Sequence, residues 1–133
     1  MAIILDADVI IRGEQGTFDL KGWIGRHPDD LFEVAAITVA ELWRGAERAS
    51  AAHKARRQRY LQTVLATVPV LPYTEQTAYE HARIWGELEA AGNMIGAYDL
   101  IVAATAVERG SEVATFNIRH FHAVSGLKVI EPQ

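Results

Sequence analysis

A chain of 133 residues, half of them apolar and 23% charged, is long enough to bury one core and too short for two domains. Thirteen Lys and Arg against seventeen Asp and Glu give a net charge of −4, which excludes the strongly basic footprint of a protein that coats nucleic acid. It does not exclude nucleic acid itself, because acids gathered at a metal site lower the sum while a local basic patch still holds phosphate. With no cysteine there are no disulfides and no thiolate zinc or iron–sulfur centres. No signal-like N-terminus and no uncharged apolar run of about 18 residues is found, so the expectation is a cytoplasmic protein with no membrane partner.

Ile3-Ile4-Leu5 reads as a strand buried on both faces of a parallel sheet, with Asp6-Ala7-Asp8 placed where it ends and a short helical turn at Val9 to Ile11. Thr17 to Gly25 spaces Phe18, Leu20, Trp23 and Ile24 as on a helix, which Gly25 and Pro28 close. Phe32 to Ile37 is a second strand, and Thr38 opens a helix to about Ala49. A helix rich in Arg and Lys follows from about Ala52 to Ala66, then a short strand at Val68 to Leu71 that Pro69 assigns to a sheet edge. Thr74 predicts the N-cap of a long helix that Gly92 stops after Ala91, and the apolar stretch Ala97 to Val107 predicts a helix buried against the sheet. Glu112 to Thr115 and Lys128 to Ile130 complete the strands. Strands separated by helices imply an α/β fold with parallel pairing and right-handed crossovers.

Acids stand at the points where such a sheet forms its ligand crevice, outside the carboxyl ends of the strands. Asp6 ends the first strand and is read as facing the crevice, whereas Asp8 is read first as a cap of the turn that follows; a capping role is the alternative for Asp6. Glu41 follows the second strand in Thr38-Val39-Ala40-Glu41, which is also the spelling of a capping box, so it either caps the helix or faces the crevice. Asp99 interrupts the apolar stretch Ala97 to Ala104, where an unpaired charge is costly to bury unless the helix dipole or a cation holds it. Asn117, just beyond the fourth strand, offers either a turn cap or a weaker oxygen ligand, and an Asp there would add a charge to the site. Hard oxygen donors from separate strand ends describe a Mg²⁺ site, in which Mn²⁺ can substitute, rather than zinc.

Taken together these residues resemble a known family, the PIN domains, and most closely the VapC-type toxins of bacterial toxin–antitoxin pairs. The matching residues are Leu5-Asp6 with Val9-Ile10, Thr38 with Ala40-Glu41-Leu42 and Gly45, Asp99 with Ile101 and Ala103 to Ala106, and Thr115, Asn117 and Phe121. The resemblance implies one PIN-like domain over residues 1–133, a three-layer α/β/α fold on a mainly parallel five-stranded sheet. It also implies a Mg²⁺-dependent endoribonuclease that leaves a 5′-phosphate and a 3′-hydroxyl. Asp6, Glu41 and Asp99 are then the metal ligands, and Asn117 completes the catalytic set where many relatives have Asp. His120 stands where some relatives carry another acid, and Asp8 where Asn or Ser is common. In the expected mechanism Asp6 and Asp99 hold the ion, Glu41 orients or deprotonates the water, and Asn117 holds an outer water.

The expected substrate contacts are Arg44 and Arg48, three and seven residues after Glu41 and so near its helical face, together with Thr115. The run His53 to Arg59 is either a second basic patch or a solvated helix face. An active ribonuclease also implies a cognate antitoxin, whose apolar segment would fit against Leu42, Trp43 and the Phe18 to Ile24 helix while an Arg reaches the acids; a homodimer is expected as well. Two rival readings remain at the level of sequence. One is a haloacid-dehalogenase-like phosphatase with Asp6 as the phosphorylated nucleophile, which lacks a convincing later Lys and a paired-acid motif. The other is a non-catalytic PIN-fold module for RNA or protein, disabled by Asn117.

Overall fold

The computed structural model describes all 133 residues. Strand β1 (Ala2–Leu5) lies at the centre of a five-stranded sheet and every pairing is parallel. On one side it pairs with β2 (Leu31–Ala35), which in turn pairs with the two-residue edge strand β3 (Val70–Leu71). On the other it pairs with β4 (Glu112–Ala114), followed by β5 (Val129–Ile130) at the opposite edge. Ile3, Ile4 and Leu5 are all buried because helices cover both faces of a strand in this central position.

Side chains alternate across the sheet and so feed two separate cores. Ile3 and Leu5 of β1 and Phe32 and Val34 of β2 point to one face. There they meet Val9 and Ile10 of α1 (Ala7–Gln15), Leu20 and Trp23 of α2 (Leu20–Gly25), Leu42 and Ala46 of α3 (Ala36–Glu47) and Leu61 of α4 (Ala51–Thr67). Ile4, Ala35 and Val113 point to the other face, against Ile84 and Leu88 of α5 (Glu75–Ala91) and Leu100 to Ala106 of α6 (Ala97–Arg109). The three layers match the expected architecture, and no helix is long and apolar enough to cross a membrane.

Most predicted boundaries hold. Thr74 caps α5, with its hydroxyl and that of Thr77 bonding reciprocally to backbone amides, and Gly92 closes the helix in the left-handed conformation at φ 69. Others differ: α2 starts at Leu20 rather than Thr17 and β3 at Val70 rather than Val68, and two further differences bear on the site. The turn expected at Val9 to Ile11 is a nine-residue helix, held by packing against α2 and α3 and by the Tyr60 hydroxyl donating to the Ile10 carbonyl at 3.1 Å. Helix α3 starts at Ala36, two residues before Thr38, because β2 runs directly into it at Ala35. The Thr38–Glu41 capping box is therefore absent: Thr38 is fully buried, its hydroxyl has no partner, and Glu41 sits in the second turn.

Candidate metal and catalytic site

The carboxyl ends of β1, β2 and β4 lie along one edge of the sheet, and the next residue or turn of each carries the polar side chains. Asp6 follows β1 and serves two purposes at once. Its Oδ1 accepts the Ala7 N–H at 2.9 Å as the N-cap of α1, and its Oδ2 accepts the Thr115 hydroxyl at 2.9 Å. Capping and crevice-facing were alternatives on the sequence, but the two oxygens divide the roles.

Thr115 follows β4 and is fully buried. Its hydroxyl donates to Asp6 and accepts the Asn117 N–H at 3.0 Å, so the expectation that it contacts substrate is corrected: it has neither the exposure nor a free proton for that. Asp8 is the hub of the same loop. Its Oδ2 accepts the Phe116 N–H at 2.9 Å and the Asn117 Nδ2 at 3.1 Å, and Thr115 Oγ1 lies 3.3 Å from both of its oxygens. Asn117 precedes the 3-10 turn Ile118–His120 without capping it, since its amide nitrogen is turned to Asp8 instead.

Asp99 is in the first turn of α6, whose N-cap Gly96 has no side chain to satisfy the free amides. His120 approaches it, Nδ1 to Oδ2, at 3.3 Å. Glu41 has neither a hydrogen-bond nor an ion-pair partner, although it is only partly exposed on α3.

These carboxylates make one another reluctant to ionise. Burial is the main cause that pushes Asp6 up to about 6, with Asp8 and then Asp99 adding repulsion against the relief of the Thr115 hydrogen bond. Glu41 is pushed up to about 7 by burial, then by Asp6 and Asp99. Burial also raises Asp99 and Asp8, eased by His120 in the first case and by Phe116, Thr115 and Arg12 in the second. Arg12 owes its position to the Phe116 ring, over which its guanidinium lies at 4.1 Å.

Asp6, Glu41 and Asp99 are thus close enough to repel, yet no three acids or histidines are drawn together tightly enough to form a ready coordination shell. The donor chemistry fits a hard divalent cation that keeps several of its own waters, as Mg²⁺ does, and a cation reverses the repulsion that the carboxylates feel.

The other predicted residues divide. Arg44 lines a cavity with Glu41, whereas Arg48 is exposed at the end of α3 and lies outside that cavity. The basic run of α4 is mostly occupied as a solvated face: Lys54 pairs with Glu47 at 2.9 Å, Arg57 with Glu14 at 3.3 Å, and Arg56 contacts His53. The anchoring by Asp8 and the placement of Arg12 and Tyr98 went unread. The signals available were Asp8's own charge and, for Tyr98, an aromatic directly before Asp99 at a helix start.

The fold is a fully parallel three-layer α/β/α domain with acids from separate elements near the end of its central strand. A sequence model of the PIN domain matches residues 3–127, and the chain belongs to the PIN-domain family, on its VapC ribonuclease branch. It is 29% identical over 131 residues to "Ribonuclease VapC1" of Rickettsia felis, covering 98% of this chain and 96% of that one. The crystal structure of VapBC2 from Rickettsia felis bound to a promoter DNA fragment superposes with a TM-score of 0.92 at 20% identity, covering 100% of both chains, and so supports the fold. DNA-bound VapBC from Salmonella typhimurium superposes with a TM-score of 0.90 at 26% identity, covering 98% of both chains. The family match leaves the phosphatase reading without support.

Proposed function

We propose that this chain is a Mg²⁺-dependent endoribonuclease, with Mn²⁺ able to substitute, that acts in the cytoplasm as the toxin of a type II toxin–antitoxin pair. The observation that carries the reading is the trio Asp6, Glu41 and Asp99, brought from three separate elements to one crevice where each resists ionisation until a cation arrives. When bound, the ion supplies positive charge for the scissile phosphate and acidifies a water.

The chain's own residues do the rest. The Asp6 and Asp99 carboxylates would hold the ion, with Thr115 and His120 fixing their respective orientations. The unpartnered Glu41 carboxylate takes the proton of the attacking water. The water oxygen bonds to phosphorus as the P–O3′ bond breaks, and the departing O3′ takes a proton from solvent water, leaving a 5′-phosphate and a 3′-hydroxyl. Asn117, with its nitrogen committed to Asp8, turns its amide oxygen to a water of the crevice. Arg44 holds a flanking phosphate, and Arg48 adds long-range attraction.

The neighbours solved as VapBC complexes support a cognate antitoxin for this chain, and its own homodimer is part of the proposal. An antitoxin Arg reaching Asp6, Glu41 or Asp99 would make bidentate bonds and exclude the cation by charge. The test is cleavage of total RNA by the purified protein with Mg²⁺, with EDTA, and with the antitoxin co-expressed from the neighbouring gene. Cleavage only with Mg²⁺, lost in Asp6→Asn and suppressed by the antitoxin, is expected. RNA bound but never cut with Mg²⁺ or Mn²⁺ leaves the non-catalytic module instead.

A further inference from the structure

The crevice has a second compartment beside Glu41. Ala7 and Ile11 of α1, Ala40, Glu41 and Arg44 of α3 and Tyr98 of α6 line a cavity of about 520 Å³. Three features of it are unexplained by folding. Tyr98 is 48% exposed although the helix it opens is among the most buried in the molecule, and its hydroxyl has no hydrogen-bond partner. Arg44 has no ion pair, a state it shares with most arginines of the chain, but it is the one that lines this cavity beside Glu41. The lining by Ala7, Ile11 and Ala40 is apolar, and Glu41 stands among these residues.

An aromatic plane on one wall, a small apolar floor and an unpaired guanidinium at the rim match the chemistry of a nucleobase carrying its phosphate. We infer that this cavity is a nucleobase subsite for single-stranded RNA, in which Tyr98 stacks on the base next to the scissile phosphate and Arg44 holds that nucleotide's phosphate. The assignment rests on the nuclease reading above and adds to it a residue that selects substrate. Because Tyr98 is the immediate neighbour of Asp99, a stacked base would register the scissile bond against the acids. A duplex, whose bases are already stacked on each other, offers no free face to Tyr98.

The experiment uses a short single-stranded RNA oligonucleotide containing a mapped cut site, with an abasic nucleotide stepped through the positions on either side. Wild type, Tyr98→Phe and Tyr98→Ala are compared in kcat/KM with Mg²⁺, and in binding of the same RNA in EDTA by fluorescence anisotropy. One abasic position is expected to lower wild-type kcat/KM and affinity by about tenfold, within the range found for base–aromatic stacking. Tyr98→Ala should show the same loss on intact RNA and no further loss on the abasic RNA, while Tyr98→Phe keeps wild-type behaviour. Additive penalties, or a Tyr98→Phe as impaired as Tyr98→Ala, would overturn the subsite while intact cleavage leaves the nuclease reading standing. A Tyr98→Ala that cuts and binds RNA normally but loses the antitoxin would also overturn it, as a protein contact. If wild type cuts no RNA, the nuclease reading falls and the subsite falls with it.

Discussion

Asn117→Asp tests how the loop after β4 is held. Asn117 Nδ2 donates to Asp8 Oδ2 at 3.1 Å, and the same oxygen accepts the Phe116 N–H at 2.9 Å. An Asp at this position removes the donor and sets a second carboxylate against the first. Loss of a hydrogen bond to a charged group is worth about 1.5–3 kcal/mol. Two unit charges about 3 Å apart repel by roughly 1 kcal/mol at the dielectric of water and about 5 kcal/mol at an effective dielectric near 20. Both side chains are partly exposed, so the lower end applies, and the pair relieves itself further by taking up a proton. The expected cost at neutral pH without divalent cation is about 3 kcal/mol, or about 10 °C in Tm for a chain of this length. Added charge makes Mg²⁺ a stronger stabiliser of the variant than of the parent, so the difference narrows in Mg²⁺, and it narrows again on lowering the pH to 5, in the direction in which the pair takes up a proton. Thermal and urea unfolding of both proteins, in EDTA and in Mg²⁺ at the two pH values, measures all of this. An Asn117→Asp protein that melts with the parent in EDTA at neutral pH would refute the claim that the Asp8–Asn117 bond orders the loop.

Folding raises the Asp6 carboxyl from 3.8 to about 6 and Glu41 from 4.5 to about 7, so between about pH 4 and 7 the folded chain binds more protons than the unfolded one. Stability in EDTA therefore falls as pH rises through that window, by about 3 kcal/mol from Asp6 alone, while Mg²⁺ affinity rises; urea midpoints that increase from pH 5 to 8 in EDTA would contradict this. Asp6→Asn or Asp99→Asn is expected to lower kcat more than about 100-fold while raising stability in EDTA, because each removes a repelled charge; retained cleavage by Asp99→Asn would remove it from the ligand set. Thr115→Val leaves the Asn117 N–H unpartnered and is expected to cost about 1–3 kcal/mol. It also raises the Asp6 pKa further, displacing the acid limb of the pH–rate profile to higher pH, whereas a change in KM alone would restore Thr115 as a substrate contact.

The parts of the fold that could be read in advance are those where one physical cause decides. Ile3-Ile4-Leu5 could be only a strand covered on both faces once Asp6 closed it, and that strand is the centre of the sheet. Thr74 and Gly92 bound α5 because a cap needs a hydroxyl at one end and a residue free to take positive φ at the other. The third strand does lie at the sheet edge, but it starts at Val70, just after Pro69, whose carbonyl accepts the Val34 N–H.

Where two local causes competed, the tertiary structure chose, and the sequence could not. Thr38-Val39-Ala40-Glu41 spells a cap, but the abrupt join of β2 to α3 starts the helix two residues earlier and frees Glu41 for the crevice. Helix α1 has poor credentials, with three β-branched residues and Gly13 within it. It forms because α2 and α3 pack against it, and a Cβ on Gly13 would stand 2.6 Å from the Tyr60 hydroxyl, so the residue that weakens the helix locally is the one that lets Tyr60 reach the Ile10 carbonyl. Thr115 is the clearest instance. Its type announced a hydrogen bond, but its partners Asp6 and Asp8 lie 109 and 107 positions away, joined only by the β1–β4 pairing. Once that pairing places Thr115 between two acids, its one proton goes to Asp6, one lone pair takes the Asn117 amide, and full burial keeps the hydroxyl from RNA.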